Sequence, residues 1–275
     1  MKSGLRAIVV LLCVTLSALV NSAERVVSVD GAITEIIYKL DQQHRLVAVD
    51  HDSHFPAATN QLSKVGFSGF LSADTIMEYQ PDLVFLTTDS RPANLELVLR
   101  DRGVKVVVVE DELSVEGLMK KIETVAAAMD VPVEGLQLQQ KLKFRIDNAL
   151  AQVNADPKLS VMIARGAGRA GLMMAGKQTP ANAILEIMGV QNTVSSRKYI
   201  PLTDRVSERY NPNVVVVALD PKLHHENVNS MFTGTPAFDH NRVYTMDESL
   251  LLGFGPRLPQ AIAQLSEWIK AADEV

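Results

Sequence analysis

Cysteine is all but missing from this sequence. Of 275 residues only Cys13 is a cysteine, and it lies in an N-terminal stretch with the marks of a removable leader. The remainder can form no disulfide and offers no thiol for catalysis or a Cys-based zinc site, which suits export to an oxidising compartment. Basic charge is not in excess either. Lys and Arg number 27 against 32 Asp and Glu, a formal net charge of −5, which excludes the electrostatic footprint of a nucleic-acid binder. Long apolar runs are lacking too. The longest, Ala7 to Val20, covers 14 residues, whereas a membrane-spanning helix needs about 20. Catalytic signatures are absent: there is no Gly-x-Ser-x-Gly elbow, no Walker loop and no His-Glu-x-x-His. Gly166 to Gly171 echoes Gly-x-Gly-x-x-Gly after a strand, but no acidic residue follows at the spacing a dinucleotide site needs. No enzyme is expected.

What is present begins with the leader. Lys2 and Arg6 precede the apolar run, and Ala23 offers a small residue at its end, so residues 1–23 read as a signal peptide cleaved near Ala23. An uncleaved anchor is the alternative. Val10-Leu-Leu-Cys13 makes a poor lipid-attachment signal. Without Lys2 and Arg6 the chain keeps 25 Lys and Arg against 32 acids, a net charge of −7. A soluble, monomeric product in the periplasm is expected.

The full sequence is 47% hydrophobic and 21% charged, a globular composition whose length suits two compact lobes. Short apolar strands at 25–29, 46–49, 81–86 and 105–109 alternate with helical patterns at 34–40, 91–102 and 114–129. That alternation predicts a parallel sheet covered on both faces. Leu138, Leu142, Ile146, Leu150 and Val153 then repeat at helical spacing between Pro132 and Pro157. They predict one amphipathic helix about 30 Å long. Strands at 160–164, 214–218 and near 243–245 follow, with helices near 180–188 and at the C-terminus. The expected fold is α/β: an N-terminal lobe (24–131), a linking helix (132–156) and a C-terminal lobe (157–275), each lobe Rossmann-like. A weak repeat supports two lobes. Leu71-Ser72 followed by Pro81-Asp-Leu-Val-Phe matches Leu202-Thr203 followed by Pro212-Asn-Val-Val-Val. A ligand would sit between the lobes, at the carboxyl ends of the strands, and a single stiff helix would resist wide closure.

Several segments carry a resemblance across this whole region. They include Ser28-Val-Asp-Gly-Ala-Ile-Thr-Glu-Ile-Ile-Tyr38, Val65-Gly-Phe-Ser-Gly-Phe-Leu-Ser-Ala-Asp74, Met174-Ala-Gly-Lys-Gln-Thr-Pro-Ala-Asn-Ala183, Tyr199-Ile-Pro-Leu-Thr203 and Leu252-Gly-Phe-Gly-Pro-Arg-Leu-Pro-Gln-Ala261. The chain resembles the ABC-importer binding proteins that carry haem, ferric siderophores or cobalamin, and within them the periplasmic haem-binding branch. The resemblance implies a two-lobed protein that takes haem as its transported ligand and hands it to an inner-membrane permease. A corrinoid or ferric siderophore is the alternative ligand. An exported metal-binding protein or enzyme using the His51/His54 loop is the alternative class.

Phe67 stands where that family usually carries a Tyr whose phenolate binds haem iron. A phenyl ring packs on a porphyrin face but cannot coordinate iron, so Phe67 reads either as a stacking wall for a planar ligand or as an aromatic lining any apolar cleft. His51 and His54 sit in the loop after the second strand, where the family usually has Thr- and Ser-like residues. Imidazole ligates haem iron, which makes them the candidate metal ligands. A zinc site with Asp50 or Asp52 and solvated loop histidines are the other readings. His224 and His225, in a polar stretch, read as solvated.

The resemblance implies that Arg257 reaches into the cleft, where a guanidinium can hold a propionate. A salt bridge fixing the C-terminal lobe is its alternative. Arg165 and Arg169 flank a glycine-containing loop at a strand end and suit propionates or another acidic ligand. Tyr199 is a second phenol near the implied cleft, with a packing role the preferred reading. The family also uses one acid per lobe to meet permease arginines. Asp74 with Glu78, and Asp204 with Glu208, are the docking candidates, although Arg205 falls where the second acid is expected. Helix-start acids favoured by the dipole are the plain alternative.

Overall fold

A computed structural model describes residues 24–153, 159–166, 171–203, 209–220 and 228–273. The first sheet comes from the N-terminal part. Strands β1 (Val26–Ser28), β2 (Leu46–Val49), β3 (Ser63–Lys64), β4 (Leu83–Thr87) and β5 (Lys105–Val109) pair in the order β3-β2-β1-β4-β5. All four pairings are parallel. Parallel strands need crossovers, and helices α1 (Gly31–Lys39), α2 (Ala73–Met77) and α3 (Leu95–Asp101) help to supply them, while α4 (Val115–Ala128) leads out of the sheet. Helix α1 starts at Asp30, whose carboxylate accepts the Ile33 N–H at 3.1 Å, the usual way an orphan amide at a helix start is satisfied.

Helix α5 (Pro132–Leu150) is the predicted linking helix, opened by Pro at its first turn. It packs on α4 and on the C-terminal helix, Leu258–Asp273. Its buried stripe is Leu138, Leu142, Ile146 and Ala149. Gly135 lets α5 approach α4 closely, since a Cβ there would lie 2.4 Å from Ala126 Cβ.

The second sheet follows. Its strands are β6 (Ser160–Gly166), β7 (Leu172–Met174), β8 (Gln191–Asn192), β9 (Ile200–Pro201), β10 (Val214–Leu219) and β11 (Val243–Asp247). The order is β11-β10-β6-β7-β9, with β8 on β6. Helix α6 (Pro180–Ile187) precedes β8. The strands β11, β10, β6 and β8 pair in parallel, but β7 runs antiparallel to β6 and to β9. So few residues separate β6 from β7 that no crossover helix fits, and a short return gives an antiparallel neighbour.

Each sheet has an outer apolar cluster, one around Val84, Ile76 and Leu99, the other around Val215, Val217 and Phe232. The largest cluster serves both sheets at once. It runs from Ile33, Ile36 and Phe85 through Ile122 and Leu142 to Ile163, Val216 and Ile262. The two lobes therefore share one core around α5.

Candidate functional site

The cleft is built where the strands end. After β2 the chain turns through Asp50 to Phe55, and after β3 it turns through Gly66 to Leu71. The His51 N–H donates to the Gly66 carbonyl at 2.9 Å and ties the two loops together. Gly66 has φ +117°, a region L side chains rarely adopt, and a Cβ there would meet the Phe70 carbonyl at 3.3 Å. This tie sets the His51 and Phe67 rings 4.7 Å apart, tilted by 31°. Phe67 is 55% and Phe70 88% exposed, with Phe55 at 39%. Three phenylalanines in two adjoining loops thus form an exposed aromatic wall outside the core.

Beneath the wall lies a polar floor. Buried Ser53 donates its hydroxyl to Asp50, and the Thr34 hydroxyl lies 2.8 Å from Ser53 and donates to Ser28 Oγ at 2.9 Å. Lys64 Nζ holds the Ser53 carbonyl at 2.8 Å. Burial pushes the Asp50 carboxyl up to about 7; the Ser53 hydrogen bond opposes this, while Asp30 and Asp52 add to it. Asp50 Oδ2 is buried and has no hydrogen-bond partner.

The opposite rim is made by the ends of β6 and β11, the two strands that flank β10 in the second sheet. Arg165 lies near the end of β6 and Glu248 just after β11, and the two form an ion pair. The Arg165 guanidinium also sits over the Tyr199 ring at 5.6 Å. Tyr199 packs against the shared core, and burial raises its phenol. Arg257 crosses to the first lobe. Its Nη2 donates to Glu35 Oε1 at 2.6 Å and its Nε to both Glu35 oxygens at 3.0 Å. Nη2 also reaches Ser249 Oγ at 2.9 Å. The same guanidinium lies 4.0 Å from the Phe55 ring centroid, a cation–π contact that also spans the lobes.

Of the residues singled out in the sequence, His51 and Phe67 meet in the loops after β2 and β3 with exposed side chains, and Arg165 stands near the end of β6 with its side chain 41% exposed. His54 is half-buried in the same loop as His51. Arg257 pairs with Glu35 of α1, so its ion pair joins the two lobes rather than fixing the C-terminal lobe alone. Asp74, in α2, is exposed and paired with Arg102 at 2.6 Å. Arg169, Asp204, Arg205, Glu208, His224 and His225 lie outside the described residues. Among the described residues, no three His, Cys, Asp or Glu side chains are grouped to hold a metal ion, so the zinc reading of the His51 loop gains no third ligand.

Glu35, Glu248, Phe55 and Ser249 were not singled out in the sequence. Glu35 had a signal: it is an acid inside Ala32-Ile-Thr-Glu-Ile-Ile37, every residue of which is buried. Glu248 had none, since an acid after a strand is ordinary.

Two α/β lobes on a shared helix, with facing loop clusters at the strand ends, define a two-lobed substrate-binding protein. Residues 26–250 match the family model described as "Periplasmic binding protein", and the chain belongs to that family. The periplasmic heme-binding protein RhuT from Roseiflexus sp. RS-1 is 28% identical, with TM-score 0.83 over 91% of this chain and 99% of that one. The uncharacterized ABC transporter substrate-binding lipoprotein YvrC of Bacillus subtilis strain 168 is 25% identical over 90% of this chain and 80% of its own. A vitamin B12-binding protein of Vibrio campbellii is 24% identical over 63% of this chain and 62% of its own.

Proposed function

We propose that this protein is the periplasmic binding component of an ABC importer and that it captures haem between its lobes for delivery to a membrane permease. The observation that carries the reading is the His51–Phe67 pair: an exposed imidazole 4.7 Å from an exposed phenyl ring at the mouth of the cleft. A flat macrocycle would lay one face on Phe67 and Phe55, where apolar contact and stacking favour it. His51 would offer its ring nitrogen to the iron, with His54 as the second candidate. Arg165, with Arg169 beside it in sequence, would meet the propionates. Arg257 would tie the lobes through Glu35 rather than hold a propionate. The likeness to RhuT, a heme-binding protein of the same fold, supports the ligand class. Residues 1–23 would direct export, and Asp74 with Asp204 would meet the permease.

A haemin titration of residues 24–275 tests this. The Soret band is expected to shift at micromolar haemin, and His51→Ala to change the bound spectrum while the fold is kept. An unmoved Soret band would sink the haem reading. A corrinoid is the second reading, favoured because Phe67 has no oxygen for iron and because a vitamin B12-binding relative exists. A parallel cyanocobalamin titration separates the two.

A further inference from the structure

Arg165 and Glu248 pair within the second lobe, whereas Arg257 and Glu35 pair between the lobes. Side-chain exposure is 41% for Arg165 and 23% for Glu248, against 11% for Arg257 and 7% for Glu35. A half-wet pair contributes little to stability, so holding the lobe together is a weak explanation of Glu248. Its surroundings do not welcome it either. Burial raises the Glu248 carboxyl, Arg165 lowers it, and Asp220, Asp52 and Asp247 raise it again. Asp220 and Asp247 stand at the ends of β10 and β11, and Asp52 comes from the first lobe across the cleft. Arg165 is thus a cation at the ligand's edge whose donor fork already faces a carboxylate.

We propose that Glu248 is a specificity-determining residue of this cleft: its carboxylate occupies Arg165 in the ligand-free protein and competes with carboxylates of the ligand. The inference rests on the haem reading above. A planar chelate with free carboxylates must displace Glu248 to reach the guanidinium, and the displaced charge is left among Asp220, Asp247 and Asp52. A chelate whose carboxylates are esterified or amidated escapes that competition. Glu248 therefore narrows the affinity gap between acidic and neutral macrocycles that Arg165 alone would open, because like charges in one site oppose each other.

The test uses haemin and haemin dimethyl ester, which share ring and iron and differ only in the two carboxylates. Soret titrations are run on the wild type, Glu248→Gln, Arg165→Gln and the double variant, with circular dichroism confirming each fold. Glu248→Gln is expected to bind haemin roughly fivefold tighter, the upper range of a half-exposed charge pair, and to bind the ester as the wild type does. The haemin gain is expected to vanish when Arg165→Gln is added. An equal change for haemin and ester, or no change for either, overturns the inference while haem binding stands. A wild type that titrates with neither ligand overturns the haem reading and this inference with it.

Discussion

Glu35 and Arg257, 222 positions apart, meet across the two lobes with an Nη2–Oε1 distance of 2.6 Å. The contact is close to buried on both sides. Ion pairs of this kind punish the loss of one partner more than the loss of both. Arg257→Met is expected to destabilise the protein by about 3 kcal/mol, because Glu35 then keeps an unpaired charge. Adding Glu35→Gln should return much of that loss. A double-mutant cycle by urea unfolding checks it, and strictly additive losses would deny the coupling.

Asp50 predicts a pH dependence. An unfolded Asp releases its proton near 3.8, whereas the folded Asp50 keeps it to about 7. Between those values the folded chain binds more protons, so this group's contribution falls as pH rises from about 4 to about 7. The full effect is about 4 kcal/mol, three units at 1.36 each. Asp50→Asn removes it: the variant's stability relative to wild type should climb across that window. Parallel unfolding curves at pH 4 and pH 8 with an unchanged difference would contradict it.

Phe67→Tyr restores an oxygen next to the exposed His51. If the macrocycle lies on residue 67, the variant's haemin complex should acquire the charge-transfer absorption of phenolate-bound ferric iron. Identical visible spectra for the two proteins would mean that this ring does not approach the iron.

Gly135→Ala tests the joint between α4 and α5. Alanine favours a helix by about 1 kcal/mol over glycine, yet a Cβ here would lie 2.4 Å from Ala126 Cβ. Overpacking should win, with a net loss of about 1–2 kcal/mol. Thermal unfolding reads the sign, and a raised Tm would show that the helices can part cheaply.

Much of the fold was legible. The stripe Leu138, Leu142, Ile146, Leu150 and Val153 predicts a linking helix over 132–156; the structure ends it at Leu150, with the first three buried and Leu150 and Val153 partly buried against the core. The internal repeat also holds at the strands: Leu83 opens β4 and Val214 opens β10, each a parallel-paired strand of its own lobe's sheet. Strands β7 and β9 escaped notice because three and two residues carry no periodicity. The cleft loops were legible because they follow apolar strands. The partners of the arginines were not, because an ion pair leaves no periodic trace and its members lie far apart in the chain. Only Glu35 was marked, as an acid on an otherwise apolar helix face.

The apolar cluster that runs from Ile33 through Leu142 to Ile262 has a consequence for how the molecule assembles. Neither half owns a complete interior. Cut before α5, the N-terminal half would leave uncovered the face of α4 around Ala126 that α5 packs on, and the C-terminal half would carry α5 without α4 against it. Folding should then be a single cooperative event that waits for the last helix, Leu258–Asp273, to close over α5. A chain made in its N-to-C order would stay unfinished until Leu258–Asp273 is available to pack.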